Sequence, residues 1–206
     1  MLNDLIGYVA LCLFATASLL SPASAEAAKE GWVDRSRGID FGTFAAAGSA
    51  NELERTFSRM NAIALTTEAK SKIARIDRQL LAVVYGSMSC PDCTIAVPII
   101  EAMSRYNPYI EVLYFERDLE GRELLLSRTG LTRIPTVFTA EPDGTLHDGA
   151  YVEHPRIVCD LLKSSKSDEE RERHIEDFRV GKYDAETQLE LAELLVGALH
   201  KSEASL

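Results

Sequence analysis

Leu80-Leu81-Ala82-Val83-Val84-Tyr85-Gly86-Ser87-Met88-Ser89-Cys90-Pro91-Asp92-Cys93 runs from an apolar stretch through a short turn into a pair of cysteines. Residues 80–85 are apolar and rich in β-formers, and they read as a buried strand. Gly86-Ser87-Met88-Ser89 reads as the turn. Pro91 suits the first position of a helix, where its missing N–H costs nothing. That arrangement sets Cys90 at a helix N-terminus. There the free backbone N–H groups and the positive end of the helix dipole favour a thiolate over a thiol. Two thiols three positions apart can close and open a small disulfide. Their place after a turn argues against an inert pair sunk in a core.

A Cys-x-x-Cys pair is also half of a zinc site, which needs four ligands, commonly from a second such pair. The four cysteines are Cys12, Cys90, Cys93 and Cys159, with no second pair, and the four histidines, His147, His154, His174 and His200, are scattered. No metal site is assigned. The alternative in this class is a copper or zinc carrier using Cys90 and Cys93 with His147 or His154, because soft thiolates suit those ions.

Beyond the cysteines, Gly130-Leu131-Thr132-Arg133-Ile134-Pro135-Thr136-Val137-Phe138 places a proline at the start of an apolar run, 45 positions after Cys90. Pro98 lies five residues after Cys93. With these three features together the sequence resembles the thioredoxin superfamily over residues 66–165. The resemblance implies that Pro135 is cis, that its loop packs beside the cysteines, and that Pro98 kinks the helix they open. It implies that Ile134 and Pro135 dock an extended substrate backbone by a form of strand addition. Residues 149–156 and 181–184 look like features of a subfamily with a helical C-terminal extension.

The chain departs from the commonest pattern of that family at two positions. Ser89 stands where a Trp usually precedes the first cysteine, and Val84 stands where a buried acid helps move a proton at the second. The proton acceptor for Cys93 is therefore undefined, with Glu116 and Asp92 as candidates. Asp92 also pulls two ways, since its charge favours the helix start but raises the pKa of a neighbouring thiol.

The 206 residues suffice for one domain with additions. Apolar residues make up 46% and charged residues 26%, an ordinary globular balance. A net charge of −10 argues against nucleic acid and anionic membrane surfaces as partners. No Gly-rich phosphate loop or dinucleotide fingerprint is present, so no cofactor is implied. Residues 5–20 are apolar and precede Ala23-Ser24-Ala25, a small-residue cleavage signature. They read as a secretory signal removed after Ala25, placing the mature chain in the periplasm or outside the cell. An n-region without Lys or Arg disagrees, and an uncleaved membrane anchor is the alternative. Cleavage would remove Cys12 and leave Cys159 as an odd cysteine, read as a small residue on the flank of a helix.

The domain plan is a signal peptide over 1–25, a linker or loosely packed arm over 26–50, a thioredoxin-like domain over 51–165 and a helical extension over 166–206. Helices are expected at 51–61, 66–78, 90–106, 119–128, 155–163, 168–179 and from 184 onward. Strands are expected at 80–85 and 109–115, with a hairpin of 136–140 and 145–150 across Glu141-Pro142-Asp143-Gly144. Together these give an α/β three-layer sandwich around a central mixed sheet. The function expected from the resemblance is thiol–disulfide exchange on protein substrates. Cys90 attacks and Cys93 resolves, Ile134 and Pro135 bind substrate, and Pro91, Asp92 and Pro98 support the site. A redox partner would recycle the pair. A non-catalytic peptide-binding module is a further alternative, though simple binding would not require both thiols.

Overall fold

The computed structural model describes residues 31–203. The expected signal peptide, with Cys12, lies outside the described residues. The central strand β1, Leu80–Gly86, is buried along its whole length. It pairs in parallel with β2, Ile110–Glu116, from Leu80 opposite Ile110 to Gly86 opposite Glu116. On its other side it pairs antiparallel with β3, Thr136–Ala140. A short β4, Tyr151–Val152, completes a mixed sheet in the order β2-β1-β3-β4. Both faces of β1 are covered, which is why its sequence is a continuous apolar run. Leu80, Ala82 and Val84 join one core, while Leu81, Val83 and Tyr85 join a second with Phe115, Leu125 and Phe138.

The helices are α1 (Phe41–Ala46), α2 (Ala50–Ala62), α3 (Thr67–Ile73), α4 (Cys93–Tyr106), α5 (Leu119–Thr129), α6 (Arg156–Ser164), α7 (Asp168–Arg179) and α8 (Asp184–Glu203). Local signals set many of their ends. Ser49 and Glu52 close a capping box on α2, Asp118 caps α5 through the Gly121 N–H, and Ser167 caps α7 through the Glu170 N–H. Pro98 lies buried inside α4, so it does not begin a separate helix. Leu191, Leu195 and Val196 of α8 are buried in the first core, so the extension packs on the body of the domain.

Four expectations change. The described part of the expected loose arm is anchored to the domain at several points. Val33, Phe44 and Ala45 are buried, and Ile39 exchanges two 2.9 Å backbone hydrogen bonds with Tyr114 on β2. An Ala- and Gly-rich composition hid a segment anchored by single residues. Helix α3 ends at Ile73, well short of residue 78, because the buried Asn107 amide donates to the Ile73 and Ile76 carbonyls at 2.7 and 2.8 Å. Residues 145–150 do not form the partner strand of β3. The turn closes as expected, with Gly144 N–H donating to Glu141 O, but Thr145 and Leu146 make only isolated bridges. Gly149, at φ 93°, redirects the chain, and pairing resumes at Tyr151–Val152. Finally, Asp184 is the first residue of α8, and its carboxylate meets the Arg59 guanidinium.

Candidate active site

The strand β1 ends at Gly86 and delivers the chain into the turn that carries Cys90. Cys90 and Pro91 lie in tight turns just ahead of α4, with Cys93 N–H donating to Cys90 O at 3.1 Å and Thr94 N–H to Pro91 O at 3.2 Å. Asp92 occupies the N-cap position and Cys93 opens the helix. Pro91 therefore sits one step outside the helix, in the turn that leads into it, and not at its first position. The effect on Cys90 is the one expected of a helix start, because the backbone N–H groups of Asp92 and Cys93 point toward its sulfur.

Both thiols are free, Cys90 half-buried and Cys93 buried. Their acidities are driven apart. A hydrogen bond from the Cys93 thiol is the largest influence on Cys90 and, with the two backbone N–H groups, brings it down to about 7 against the opposing effects of burial and the Asp92 charge. The same hydrogen bond, with burial, pushes Cys93 well above the ordinary thiol range. One sulfur is poised as thiolate and the other holds its proton.

The Ile134–Pro135 peptide bond is cis. Its loop packs against the cysteines, and the Ile134 carbonyl lies 3.5 Å from Cys90 Sγ, as the acceptor of a thiol hydrogen bond. Beside them opens a cleft of about 600 Å³ lined by Phe44, Met88, Ser89, Cys90, Arg117 and Ile134 among others. Thus Cys90, Cys93, Ile134 and Pro135 come together, with Pro91 and Asp92 between the cysteines and Pro98 further along α4. Glu116 lies at the end of β2 on the wall of the same cleft.

A family model described as thioredoxin matches residues 38–171. The chain belongs to the thioredoxin family. This thioredoxin-family match begins within the segment before α1, in keeping with the packing of Ile39 and Phe44 and ahead of the boundary at residue 51 expected from the sequence. Two solved structures share the thioredoxin-like fold. One is a Pseudomonas aeruginosa protein of unknown function, 23% identical, with a TM-score of 0.65, covering 78% of this chain and 93% of its own. The other is an HIV epitope scaffold, also 23% identical with a TM-score of 0.65, covering 79% and 95%. No curated protein matches the chain.

Three residues of this thioredoxin-like site escaped the sequence reading or were given another role there. Phe44 lines the cleft and stacks on Tyr114 with centroids 4.5 Å apart. Arg179, on α7, donates from Nε to Asp92 Oδ1 at 2.7 Å across 87 positions of sequence. His154, considered above only as a metal donor, is buried with Nε2 3.8 Å from Asp92 Oδ2. No local signal marks an arginine at the end of a charged helix as the partner of an active-site acid. The ring nitrogens of His147 instead contact Thr139 and Glu141. Among the described residues, no group of three or more His, Cys, Asp or Glu side chains is arranged to hold a metal ion, and no helix is long and apolar enough to cross a membrane.

Proposed function

We propose that this thioredoxin-family protein is a thiol–disulfide oxidoreductase acting on protein substrates through Cys90 and Cys93. The observation that carries the reading is the placement of a half-buried Cys90 on an open cleft beside the cis Ile134–Pro135 loop with a buried Cys93 behind it, and the opposite shifts of the two thiols support it. In the reducing direction the Cys90 thiolate attacks one sulfur of a substrate disulfide. A bond forms between Cys90 Sγ and that sulfur, the substrate disulfide breaks, and its second sulfur leaves as a thiolate that takes up a proton from solvent. Cys93 then gives up its proton to solvent and attacks Cys90 Sγ. The mixed disulfide breaks, the first substrate sulfur departs as a thiolate, and the Cys90–Cys93 disulfide remains. The substrate gains two electrons and the enzyme loses two. The oxidising direction is the same sequence reversed.

The timing follows from the electrostatics. Cys93 holds its proton because it donates to the Cys90 sulfur, because it is buried and because it faces the Cys90 charge. Once Cys90 Sγ is bonded to substrate it carries no charge, so that restraint on Cys93 lapses when Cys93 is needed. Ile134 and Pro135 would meet the substrate backbone where it crosses the Cys90 sulfur. A second redox protein restores the starting state. Such a pair suits an extracytoplasmic compartment, which a cleaved signal over 1–25 would provide. Mass determination of the mature N-terminus tests that point, with Glu26 expected first.

The central test is equilibration of the purified chain with glutathione buffers of graded potential. A single two-electron transition between the dithiol and a Cys90–Cys93 disulfide is expected. Absence of any intramolecular disulfide would end this reading. A Cys93→Ser variant should then trap substrates as mixed disulfides on Cys90. Equal capture through Cys93 in a Cys90→Ser variant would show the assigned order of attack to be wrong.

A further inference from the structure

The acid between the cysteines is treated unlike an ordinary helix N-cap. Asp92 is only 7% exposed and makes no capping hydrogen bond with its side chain. A carboxylate buried so far must be paired to be tolerated. Its partner is the Arg179 guanidinium, 2.7 Å from Oδ1, at the last turn of α7. On the other oxygen, His154 Nε2 stands at 3.8 Å, buried and without a hydrogen-bond partner among the described residues. The His154 ring rests edge-on against Phe178, with centroids 4.8 Å apart. Phe178 is fully buried and adjoins Arg179, so one turn of α7 fixes both neighbours of the acid.

The network continues to the substrate loop. Glu153, next to His154, holds φ at 61°, a conformation uncommon for a residue with a side chain. Its backbone N–H donates to Pro135 O at 2.7 Å and its carboxylate pairs with Arg133. The Arg133–Pro135 loop, the Cys90–Cys93 turn and the C-terminal extension are thus joined through one buried carboxylate.

Resting on the oxidoreductase reading, we propose that Arg179 and His154 are positioning residues of the redox centre. Arg179 holds the Asp92 carboxylate in a hydrogen-bonded ion pair and the His154 ring packs beside its other oxygen, which fixes the charge near the Cys90 sulfur and makes α7 a working part of the dithiol site. The Asp92 charge disfavours the Cys90 thiolate, and Arg179 opposes it, being itself within electrostatic reach of Cys90. The charged and titratable groups facing this cluster are Cys90, Cys93 and Asp92 from the turn and α4, Arg179 and Glu176 from α7, Tyr151 from β4, Glu153 and His154 after it, Cys159 from α6, and Arg133 from the cis-proline loop. Burial keeps His154 on the neutral side against the pull of the two nearby carboxylates. It therefore serves as a dipolar neighbour of Asp92, with Arg179 supplying the charge.

The experiment measures the rate of Cys90 alkylation against pH in the full chain, with adducts assigned by peptide mass. Arg179→Gln should slow alkylation below pH 7 by about three- to tenfold, and Asp92→Asn should speed it by a similar factor. The double variant should be faster than Arg179→Gln and no faster than Asp92→Asn, because Arg179 acts on Cys90 chiefly through the acid and only secondarily by its own charge. Arg179→Lys keeps the charge and should stay within about twofold of wild type, which covers the case of a Gln variant that fails to fold. His154→Ala should slow Cys90 by about two- to threefold. A folded Arg179→Gln protein with the wild-type profile overturns the inference. So does a double variant that stays as slow as Arg179→Gln. If His154→Ala leaves the profile unmoved, the histidine has no such role. The glutathione equilibration of the wild type separates the two claims. A chain that never closes the Cys90–Cys93 disulfide refutes the oxidoreductase reading, whereas the alkylation series judges the network by itself.

Discussion

Replacing Cys93 with Ala removes the largest single influence on Cys90 and leaves the backbone N–H groups of the turn in place. In the wild type a thiol at about 7 is half ionised at neutral pH. A thiol at the ordinary value of 9.0 would be only about 1% ionised there, roughly a fiftyfold difference in reactive species. The Cys93 and Asp92 N–H groups still favour the thiolate in the variant, and burial still opposes it. The expected outcome is a rise of about one to two pH units in the Cys90 midpoint, or a roughly ten- to fiftyfold slower alkylation at pH 7. Cys93→Ser provides the internal comparison, because its hydroxyl can still donate to the Cys90 sulfur and should retain much of the depression. The assay is iodoacetamide alkylation between pH 5 and 10, with thiolate absorbance near 240 nm as a second readout. Cys159 reports separately, since burial raises its pKa and it should react late. Ala and Ser variants that both keep the wild-type midpoint would refute the reasoning. The helix start alone would then be holding the thiolate.

Other outcomes follow from the packing. Phe44→Ala removes a buried ring stacked on Tyr114 and should cost about 3–5 kcal/mol in urea unfolding of the reduced protein, a large effect for a segment that reads as a linker. Asn107→Ala leaves the Ile73 and Ile76 carbonyls without their donor and should cost about 1–3 kcal/mol by the same assay. Gly144→Ala forces a left-handed residue and drives its Cβ against the Val33 carbonyl, so thermal unfolding should show a clear loss, with the Trp32–Thr145 bridge the first contact disturbed. His154 has its pKa lowered from 6.5, chiefly by burial. The unfolded chain therefore binds the proton first, so this contribution to stability is complete above about pH 6.5 and is lost as the pH falls through the folded value. A His154→Gln variant should show a flatter decline of stability on acidification, and an unchanged decline would assign the acid sensitivity to other groups.

The parts of the site that sequence made legible are those whose physics is local. An apolar run, a polar turn and Cys-Pro-Asp-Cys specify a strand, a turn and a helix start without reference to anything distant. The same holds for Gly130 after α5 and for Ser167 before α7, which end or begin helices by their own backbone and side-chain chemistry. Pro135 was legible by resemblance to a family. The features that were missed depend on tertiary partners. Nothing within 184–199 announces that α8 lies against α3 and β3, although its broad apolar face says that it must bury somewhere. The end of α3 is set by Asn107, which follows β1 and α4 in the chain. The strand expected at 145–150 had acceptable residues and begins to pair, with Glu141 N–H donating to Thr145 O and His147 N–H to Thr139 O, but Gly149 turns the chain before the ladder can extend. The helix start was misplaced by three residues because a proline at position 91 satisfies a turn as well as a first helical turn.

Both chain segments outside the strand–helix core reach the Cys90–Cys93 turn. Phe44 reaches in from the N-terminal side. A β-carbon added at Gly86 would meet both Phe44 Cζ and Cys93 Sγ at 3.4 Å, so ring and sulfur enclose the same point of β1. Arg179 and Phe178 reach in from the C-terminal side and close over Asp92 and His154. Each contact answers a requirement created by the dithiol itself. Cys93 must be dry to hold its proton, and the ring helps to keep it so. Asp92 must be neutralised to lie buried beside a thiolate, and the guanidinium does that. Residues 80–164 contain the sheet, both cysteines and the cis-proline loop, yet by themselves they would leave Cys93 without the cover of the Phe44 ring and Asp92, two residues from Cys90, without its guanidinium partner. On this argument trimming either segment changes the chemistry before it unfolds the domain: removal of α7 should raise the Cys90 midpoint, and loss of the Phe44 ring should lower that of Cys93.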